Sequence, residues 1–257
     1  MQSFYKSNGL AKKLDPSGGI IRECRDSVEH PNTIPVILAL DVTGSMGSAA
    51  KACAAKLDDI MTKLYDNVQD VEFMMMGIGD LAFDDAPIQA SQFESDIRIL
   101  DQTAMIYFEA GGGSNAWESY TAAWYFGLHN TDLDCWKRGK KGIVITIGDE
   151  PLNPYLPVSN LRNILNGNQE LMGELNDEID TQKLFNEASK KFDIYHIAIT
   201  DVETNYSHWQ PMIHSTWKKL LGQRYLEGKS TDLDKLINEI VTNSVNSYVG
   251  VENGIAW

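Results

Sequence analysis

Cysteine, positive charge and long apolar runs are all scarce in this sequence of 257 residues. Its three cysteines, an odd number without CxxC spacing, argue against a disulfide framework or zinc knuckle and favour a reducing compartment. Lysine and arginine number 22 against 36 acidic residues, and the resulting net charge of −14 disfavours nucleic acid as a partner. No run approaches the roughly 20 apolar residues of a membrane span, and the first residues lack a signal peptide's apolar stretch. We therefore expect a soluble, cytoplasmic protein.

The chain does contain enough apolar material for one α/β domain, because 43% of its residues are hydrophobic. Scattered glycine and proline in residues 1–32 indicate an irregular N-terminal arm. We expect the domain to cover 33–250 and to carry an insertion at 151–180 on the rim of its sheet. Residues 251–257 are expected to be a C-terminal tail.

Four apolar stretches predict strands, and the first is near-continuous rather than alternating, as in a strand that is buried on both faces of a parallel sheet. They cover residues 33–40, 71–79, 142–148 and 193–200. The short alternating segment at 97–100 predicts an edge strand. Helical spacing of apolar residues is found at 48–65, 115–128, 181–192, 211–221 and 231–249. This alternation predicts a doubly wound, mostly parallel α/β sheet of about six strands with helices on both faces.

Oxygen-bearing side chains follow the first buried strand, at the edge where parallel sheets carry their ligand sites. Asp41, Thr43 and Ser45 alternate along the chain, so that an extended segment places all three on one side. Carboxylate and hydroxyl oxygens are hard ligands that suit Mg²⁺, Mn²⁺ or Ca²⁺ rather than zinc or copper. The same residues precede a helix, and an ordinary helix N-cap is the alternative interpretation.

This Asp-x-Thr-x-Ser segment resembles the DxSxS motif of the metal-ion-dependent adhesion site in the von Willebrand factor A family. That family also has a hydroxyl in a glycine-rich loop and an aspartate after the next buried strand, and this chain offers Ser114 and Asp149 in that order. Thr43 replaces the commoner serine of the family and Ser114 the commoner threonine, and both replacements keep the hydroxyl oxygen. Asp149 departs from the family pattern because it follows a glycine, which leaves the neighbouring Glu150 as an alternative ligand.

The resemblance implies a Rossmann-like fold of the bacterial or phage cytosolic type and a protein-interaction function rather than an enzymatic one. In the family, hydroxyls bind Mg²⁺ directly, so the ion keeps enough positive charge to bind an acidic side chain of a partner protein. Mn²⁺ or Ca²⁺ can replace Mg²⁺ in such a ligand set. The bacterial members suggest a MoxR-type AAA+ ATPase as the partner. The ligands implied for this chain are Asp41, Thr43, Ser45, Ser114 and Asp149.

Further side chains near the same rim are candidates for contact with the partner. Asp80 follows the second strand, and Tyr206, His208 and Trp209 are predicted in the loop after the fourth. The aspartate could instead be a solvated turn residue, and the aromatic residues could pack beneath the loop. The insertion at 151–180 is expected to shape the partner surface, because long loops over a site usually hold specificity.

The sequence leaves two other functions open. A Mg²⁺-dependent phosphohydrolase of the haloacid dehalogenase type also keeps an aspartate after its first strand. That family has a second aspartate where this chain has Thr43, so the general acid would be missing here. A scaffold whose metal is purely structural is the third alternative.

Overall fold

The computed structural model describes residues 9–17, 21–109, 117–158, 161, 178–202 and 206–252. Its strands are β1 (Arg22–Cys24), β2 (Ile34–Asp41), β3 (Val71–Ile78), β4 (Ile88–Ala90), β5 (Thr131–Leu133), β6 (Gly142–Gly148), β7 (Tyr155–Pro157), β8 (Glu178–Asp180), β9 (Phe192–Ile199) and β10 (Tyr225–Gly228). Its α-helices are α1 (Gly47–Asn67), α2 (Arg98–Thr103), α3 (Thr121–His129), α4 (Asp134–Lys137), α5 (Thr181–Ala188), α6 (Tyr206–Leu221) and α7 (Leu233–Glu252).

The central sheet has six strands in the order β10-β9-β6-β2-β3-β4. All neighbours are parallel except the edge strand β4, which is antiparallel to β3. After β2 the chain adds β3 and β4 on one side of this strand. It later adds β6 on the other side of β2. This reversal places the loops after β2 and β6 side by side, where such sheets bind ligands. The predicted fold class, a doubly wound and mostly parallel α/β sheet, is confirmed.

Burial on both faces explains the continuous apolar sequence of β2. Ile37 and Ala39 belong to the hydrophobic cluster beneath α3 and α6. Val36 and Leu38 belong to a second cluster, beneath α1 and α7. Full burial of each larger side chain stabilises the fold by roughly 1.5–3 kcal/mol relative to exposure. The strand that carries Asp41 is therefore fixed from both sides.

The edge strand predicted at 97–100 is wrong, because this segment lies at the beginning of α2. Asp96 Oδ1 accepts a hydrogen bond from the backbone N–H of Arg98 (2.9 Å), an interaction that starts a helix. Ile99 is buried and Ile97 is 65% exposed. A single helical turn can show the same alternation over four residues as a strand does. The described edge strands of the central sheet are β10 and β4, and the sequence pattern did not indicate β4.

Two helices begin elsewhere than predicted. The helix expected from residue 115, a position outside the described residues, begins at Thr121 as α3. Glu118 precedes it and forms an isolated parallel bridge with Leu152. The helix expected from residue 211 begins at Tyr206 as α6 and contains Pro211. Pro211 therefore lies inside this helix and does not begin it.

The N-terminal arm is more ordered than expected, because β1 within it pairs with β5. The backbone oxygen of Leu14 accepts a hydrogen bond from the N–H of Ala90 in β4 (2.9 Å). The guanidinium of Arg22, 1% exposed, donates to the carbonyl of Ala90 (2.9 Å). The arm therefore covers part of the edge of the main sheet, which would otherwise offer unpaired backbone groups to other chains.

The insertion predicted at 151–180 contributes β7 and β8, which pair with each other in antiparallel fashion. Most of the chain between these strands lies outside the described residues. The two strands belong to a small sheet of their own. The described strands of this segment therefore take no place in the central sheet.

Two expectations from composition can be compared with the structure. Cys24, Cys53 and Cys135 are all buried and free of disulfide bonds. None of the described helices is long and apolar enough to cross a membrane.

Candidate metal site

A chain of hydrogen bonds links the side chains that follow β2 and β6. Asp41 Oδ1 accepts from the hydroxyl of Thr43 (2.7 Å) and from its backbone N–H (2.9 Å). Thr43 Oγ1 lies 3.1 Å from Ser45 Oγ, and Ser45 Oγ donates to Asp149 Oδ1 (3.1 Å). The structure thus brings together four of the five predicted ligands. The fifth, Ser114, lies outside the described residues.

Tyr120 connects the same two loops from within the core. Its hydroxyl donates to Asp41 Oδ2 (2.5 Å) and accepts from the backbone N–H groups of Asp149 and Glu150 (3.2 Å each). The side chain is completely buried. Tyr120 was not predicted from the sequence, because no sequence pattern distinguishes a tyrosine next to a helix from an ordinary aromatic residue of the core.

Gly148 is the residue that makes room for Tyr120. A Cβ at Gly148 would lie 2.1 Å from the Tyr120 hydroxyl oxygen and 2.5–2.6 Å from carbons of its ring. Such distances are far inside van der Waals contact, so no larger residue fits without displacing the tyrosine. The Gly-Asp order, which departs from the family pattern, therefore has a local physical cause.

Two carboxylates of the site are buried, and no lysine or arginine in the described part of the chain balances their charge. Asp41 is 0% and Asp149 5% exposed, and neither forms an ion pair with any lysine or arginine of the described residues. Burial, with the charges of Asp41 and Glu150 adding to it, raises the pKa of Asp149 to about 8. Burial likewise raises the pKa of Asp41. A bound cation would offset this cost, because opposite charge favours the ionised form of a carboxyl group.

Two further carboxyl groups, those of Glu118 and Glu150, face the same region. Each has a buried Oε2 atom without a hydrogen-bond partner. Burial and the charge of Asp41 raise the pKa of Glu118 to about 11 and that of Glu150 to about 7. Of the two adjacent acids considered as ligands, Asp149 contacts the hydroxyl of the first loop, whereas Glu150 contributes its backbone N–H to the tyrosine.

The donor set fits a hard divalent ion. It consists of carboxylate and hydroxyl oxygens only, the ligands that Mg²⁺, Mn²⁺ and Ca²⁺ prefer. Across the described ranges, no group of three or more His, Cys, Asp or Glu is arranged to hold a metal. An ion at this site would therefore depend on the hydroxyls of Thr43 and Ser45, as the family resemblance implies.

Asp80, a predicted partner contact, is only 3% exposed. Its Oδ1 accepts from the N–H of Ala82 (2.8 Å), and its own N–H donates to Asp84 Oδ2 (2.7 Å). The side chain stabilises the turn after β3, but it is buried there and is not the solvated turn residue of the alternative interpretation. Partner contact by Asp80 stays a prediction. Phe83 in the same turn is 57% exposed and was not predicted.

His208 and Trp209 lie in the first turns of α6 and not in a loop, which corrects the predicted placement. His208 is exposed, and Trp209 is partly buried against the core. Their rings make an edge-to-face contact with centroids 5.1 Å apart. Tyr206 begins the helix, but its side chain is outside the described residues. Partner contact by these three residues stays a prediction.

Solved structures identify the class of fold as von Willebrand factor A-like. The vWF domain of the type V pili tip protein Mfa5 from Porphyromonas gingivalis matches with a TM-score of 0.51 at 12% identity, over 88% of this chain and 98% of that one. The pilus adhesin SpaC from Lactobacillus rhamnosus GG matches with a TM-score of 0.55 at 11% identity, over 84% of this chain and 30% of that one. Proximal thread matrix protein 1 from the mussel byssus matches with a TM-score of 0.52 at 12% identity, over 85% of this chain and 48% of that one.

This chain thus spans less than half the length of SpaC and of the byssus protein. No protein-family model matches it, and neither does any curated protein sequence. At such low identities the structural likeness establishes the fold alone.

Proposed function

We propose that this domain is a divalent-metal-dependent protein-interaction module. The ion is Mg²⁺, which Mn²⁺ or Ca²⁺ can replace, and the partner offers an acidic side chain to it. The observation that carries this proposal is the hydrogen-bonded set of two carboxylates and two hydroxyls at the point where the strand order reverses. The ligands that we propose are Asp41, Thr43, Ser45, Ser114 and Asp149.

When bound, the ion supplies positive charge and an open coordination position for the partner's carboxylate. Side chains of the site determine the charge and the geometry of that position. Thr43 and Ser45 offer neutral oxygens, which leave the charge of the ion uncompensated. Tyr120 holds Asp41 through Oδ2, so that Oδ1 remains directed to Thr43. Donation of this second hydrogen bond also reduces the negative charge that Asp41 can offer the ion.

We propose that the domain has no phosphohydrolase activity. Both carboxylate oxygens of Asp41 accept hydrogen bonds, from Thr43 and Tyr120, which weakens that group as a nucleophile. Thr43 also stands where haloacid dehalogenase-like enzymes have their general acid. Incubation with p-nitrophenyl phosphate and Mg²⁺ should give no turnover. Turnover that Asp41→Asn abolishes would restore the enzymatic alternative.

A MoxR-type AAA+ ATPase is the partner class that we propose, on the resemblance of the first loop to bacterial members of the family. Two of the similar structures come from a pilus tip protein and a pilus adhesin, which favours a binding role over a catalytic one. A cytoplasmic setting is part of the proposal. Its support is that the three cysteines are buried and free of disulfide bonds.

Thermal unfolding of chelator-treated protein with added Mg²⁺, Mn²⁺ or Ca²⁺ tests the metal site. An ion at about 100 times its dissociation constant should stabilise the wild type by roughly 2.7 kcal/mol, or a few degrees. Asp41→Ala and Ser45→Ala should lose this shift. Ser215→Ala is the matched control, because Ser215 is an exposed helix residue whose hydroxyl bonds the carbonyl of Met212.

The absence of any shift in the wild type would contradict the metal site. A shift that both site variants retain would place the ion elsewhere in the protein and would contradict the proposal equally. A structural metal without a binding role predicts a further pattern, in which metal removal unfolds the domain and acidic peptides never bind.

A further inference from the structure

A cleft of about 250 Å³ opens beside the candidate metal site. It is bounded by the loop Val42–Gly44, by the beginning of α1, and by Phe108 and Glu109. Thr43 belongs both to this cleft and to the chain of hydrogen bonds described above, so the cleft and the metal site share a wall. A partner segment whose acidic side chain reaches the ion would bring its neighbouring residues to this cleft.

The apolar walls of the cleft are fixed in place. Val42 is buried, and its carbonyl accepts a hydrogen bond from the backbone N–H of Glu109 (3.0 Å). Phe108 packs against the hydrophobic cluster beneath α1 and α7. Glu109 Oε1 accepts from the N–H of Ala86 (2.8 Å), which ties this carboxylate to the neighbouring loop. The cleft is thus a preformed feature and does not depend on one movable side chain.

Lys51 supplies the positive charge among the lining residues. It follows Gly47, the first residue of α1, by about one helical turn. Helix side chains tilt toward the N-terminus, so the Lys51 stem is directed back to the metal loop. The side chain is exposed and forms no ion pair with any residue in the described ranges. An anion of a partner can therefore bind it without displacing an internal carboxylate.

We propose that this cleft is a second subsite for the partner, in which Lys51 binds an anionic side chain close in sequence to the acidic residue that reaches the ion. The recognised element is then an acidic pair and not a single acidic residue. The inference rests on the proposed function, because the metal site holds the first member of the pair.

Fluorescence polarisation with short labelled peptides tests this subsite. One peptide carries a single glutamate among glycines, and the others carry two glutamates separated by none, one or two glycines. Binding is measured with Mg²⁺ and with chelator, at low ionic strength, for the wild type, Lys51→Glu and Lys56→Glu. Lys56 lies on the same helix but does not line the cleft, so its variant is a control of equal charge.

We compare, within each protein, the ratio of the affinity for a two-glutamate peptide to the affinity for the one-glutamate peptide. A ratio is needed because a charge change near the ion alters the affinities for both kinds of peptide. The best two-glutamate peptide should bind the wild type and Lys56→Glu about three- to tenfold tighter than the one-glutamate peptide. A factor of about two is statistical, because either glutamate can reach the ion, and the rest is what a largely solvated ion pair contributes. In Lys51→Glu the ratio should fall to about two or below.

A ratio of about two or less in the wild type, with Mg²⁺-dependent binding of both peptides, would overturn the second subsite and leave the proposed function intact. An unchanged ratio in Lys51→Glu would overturn it as well. If no peptide binds the wild type in a Mg²⁺-dependent manner, the proposed function itself is contradicted and the second subsite falls with it.

Discussion

The phenol of Tyr120 holds together two loops that are distant in the sequence. It reaches Asp41 at the end of β2 and the backbone of Asp149 after β6, and it occupies the space that Gly148 leaves open. Outer hydrogen bonds of this kind orient the side chains that bind a metal. Tyr120 is therefore a positioning residue in our account and not a ligand.

Replacement of Tyr120 by Phe should lower the affinity for Mg²⁺ about tenfold while the domain stays folded. Asp41 Oδ2 then loses its donor, and two backbone N–H groups lose their acceptor. Calorimetric titration of Mg²⁺ measures this effect. Tyr225→Phe is the control, because the Tyr225 hydroxyl also donates to a carboxylate, Glu227 Oε1 (2.6 Å), outside the site. Equal affinities of the Tyr120→Phe variant and the wild type would contradict the positioning role.

His196 lies in the core next to Tyr120 and is completely buried. Its ring stacks on Trp217 with centroids 3.7 Å apart, and Nδ1 lies 2.9 Å from Thr146 Oγ1. Burial lowers the pKa of His196 well below its usual value of 6.5. The neutral ring therefore contributes stability at neutral pH, and this contribution is lost as the pH falls below about 6.5, where the unfolded chain takes up a proton.

The wild type should accordingly lose up to about 1.4 kcal/mol per pH unit through His196 between about pH 6 and pH 5. His196→Phe keeps the stack on Trp217 and removes the titrating group. Its free energy of unfolding, measured by urea denaturation, should improve relative to the wild type as the pH falls. His214→Gln, a change at an exposed histidine, should not show this trend. Parallel curves for wild type and His196→Phe would show that His196 does not titrate on unfolding.

At the scale of elements, the long strands and helices could be predicted, and the short ones could not. β2, β3 and β6 are buried on both faces over most of their length, and such strands have near-continuous apolar sequences. The segment at Ile97–Leu100 is too short for its alternation to distinguish a strand from the single turn that begins α2. β4 has three residues and owes its place to contacts with β3 and the N-terminal arm, which no local pattern records.

The contact between the arm and β4 can be tested with two arginines of the same segment. Arg22→Met leaves the carbonyl of Ala90 without its buried donor and should cost about 1–3 kcal/mol in the free energy of unfolding. Arg25 pairs with Glu23, Asp132 and Asp134 at the surface, so Arg25→Met should cost less than about 1 kcal/mol. Urea denaturation measures both. An equal or larger loss in the Arg25 variant would contradict the role of the arm in covering the edge of the sheet.

At the scale of the whole molecule, the strand order explains which parts of the site the sequence could predict. Asp41, Thr43 and Ser45 form a local motif, and the fold brings Asp149 to it because β2 and β6 are neighbours. Tyr120 and Gly148 could not be predicted as a pair, since 28 positions separate them and only the packing of α3 on the sheet joins them. The burial of Glu118 could not be predicted for a similar reason, because this residue forms its bridge with Leu152, which is distant in the sequence.

Crystals grown with Mn²⁺ would test the central claim most directly, because anomalous scattering locates the ion without assumptions about its ligands. Our account predicts a peak between the loops after β2 and β6, with the hydroxyl oxygens of Thr43 and Ser45 at roughly 2.0–2.3 Å from it, as oxygen ligands of such ions are. Asp149→Ala should weaken the peak. A map without a peak at this site, at a Mn²⁺ concentration that saturates any binding seen in solution, would contradict the claim that the domain is metal-dependent.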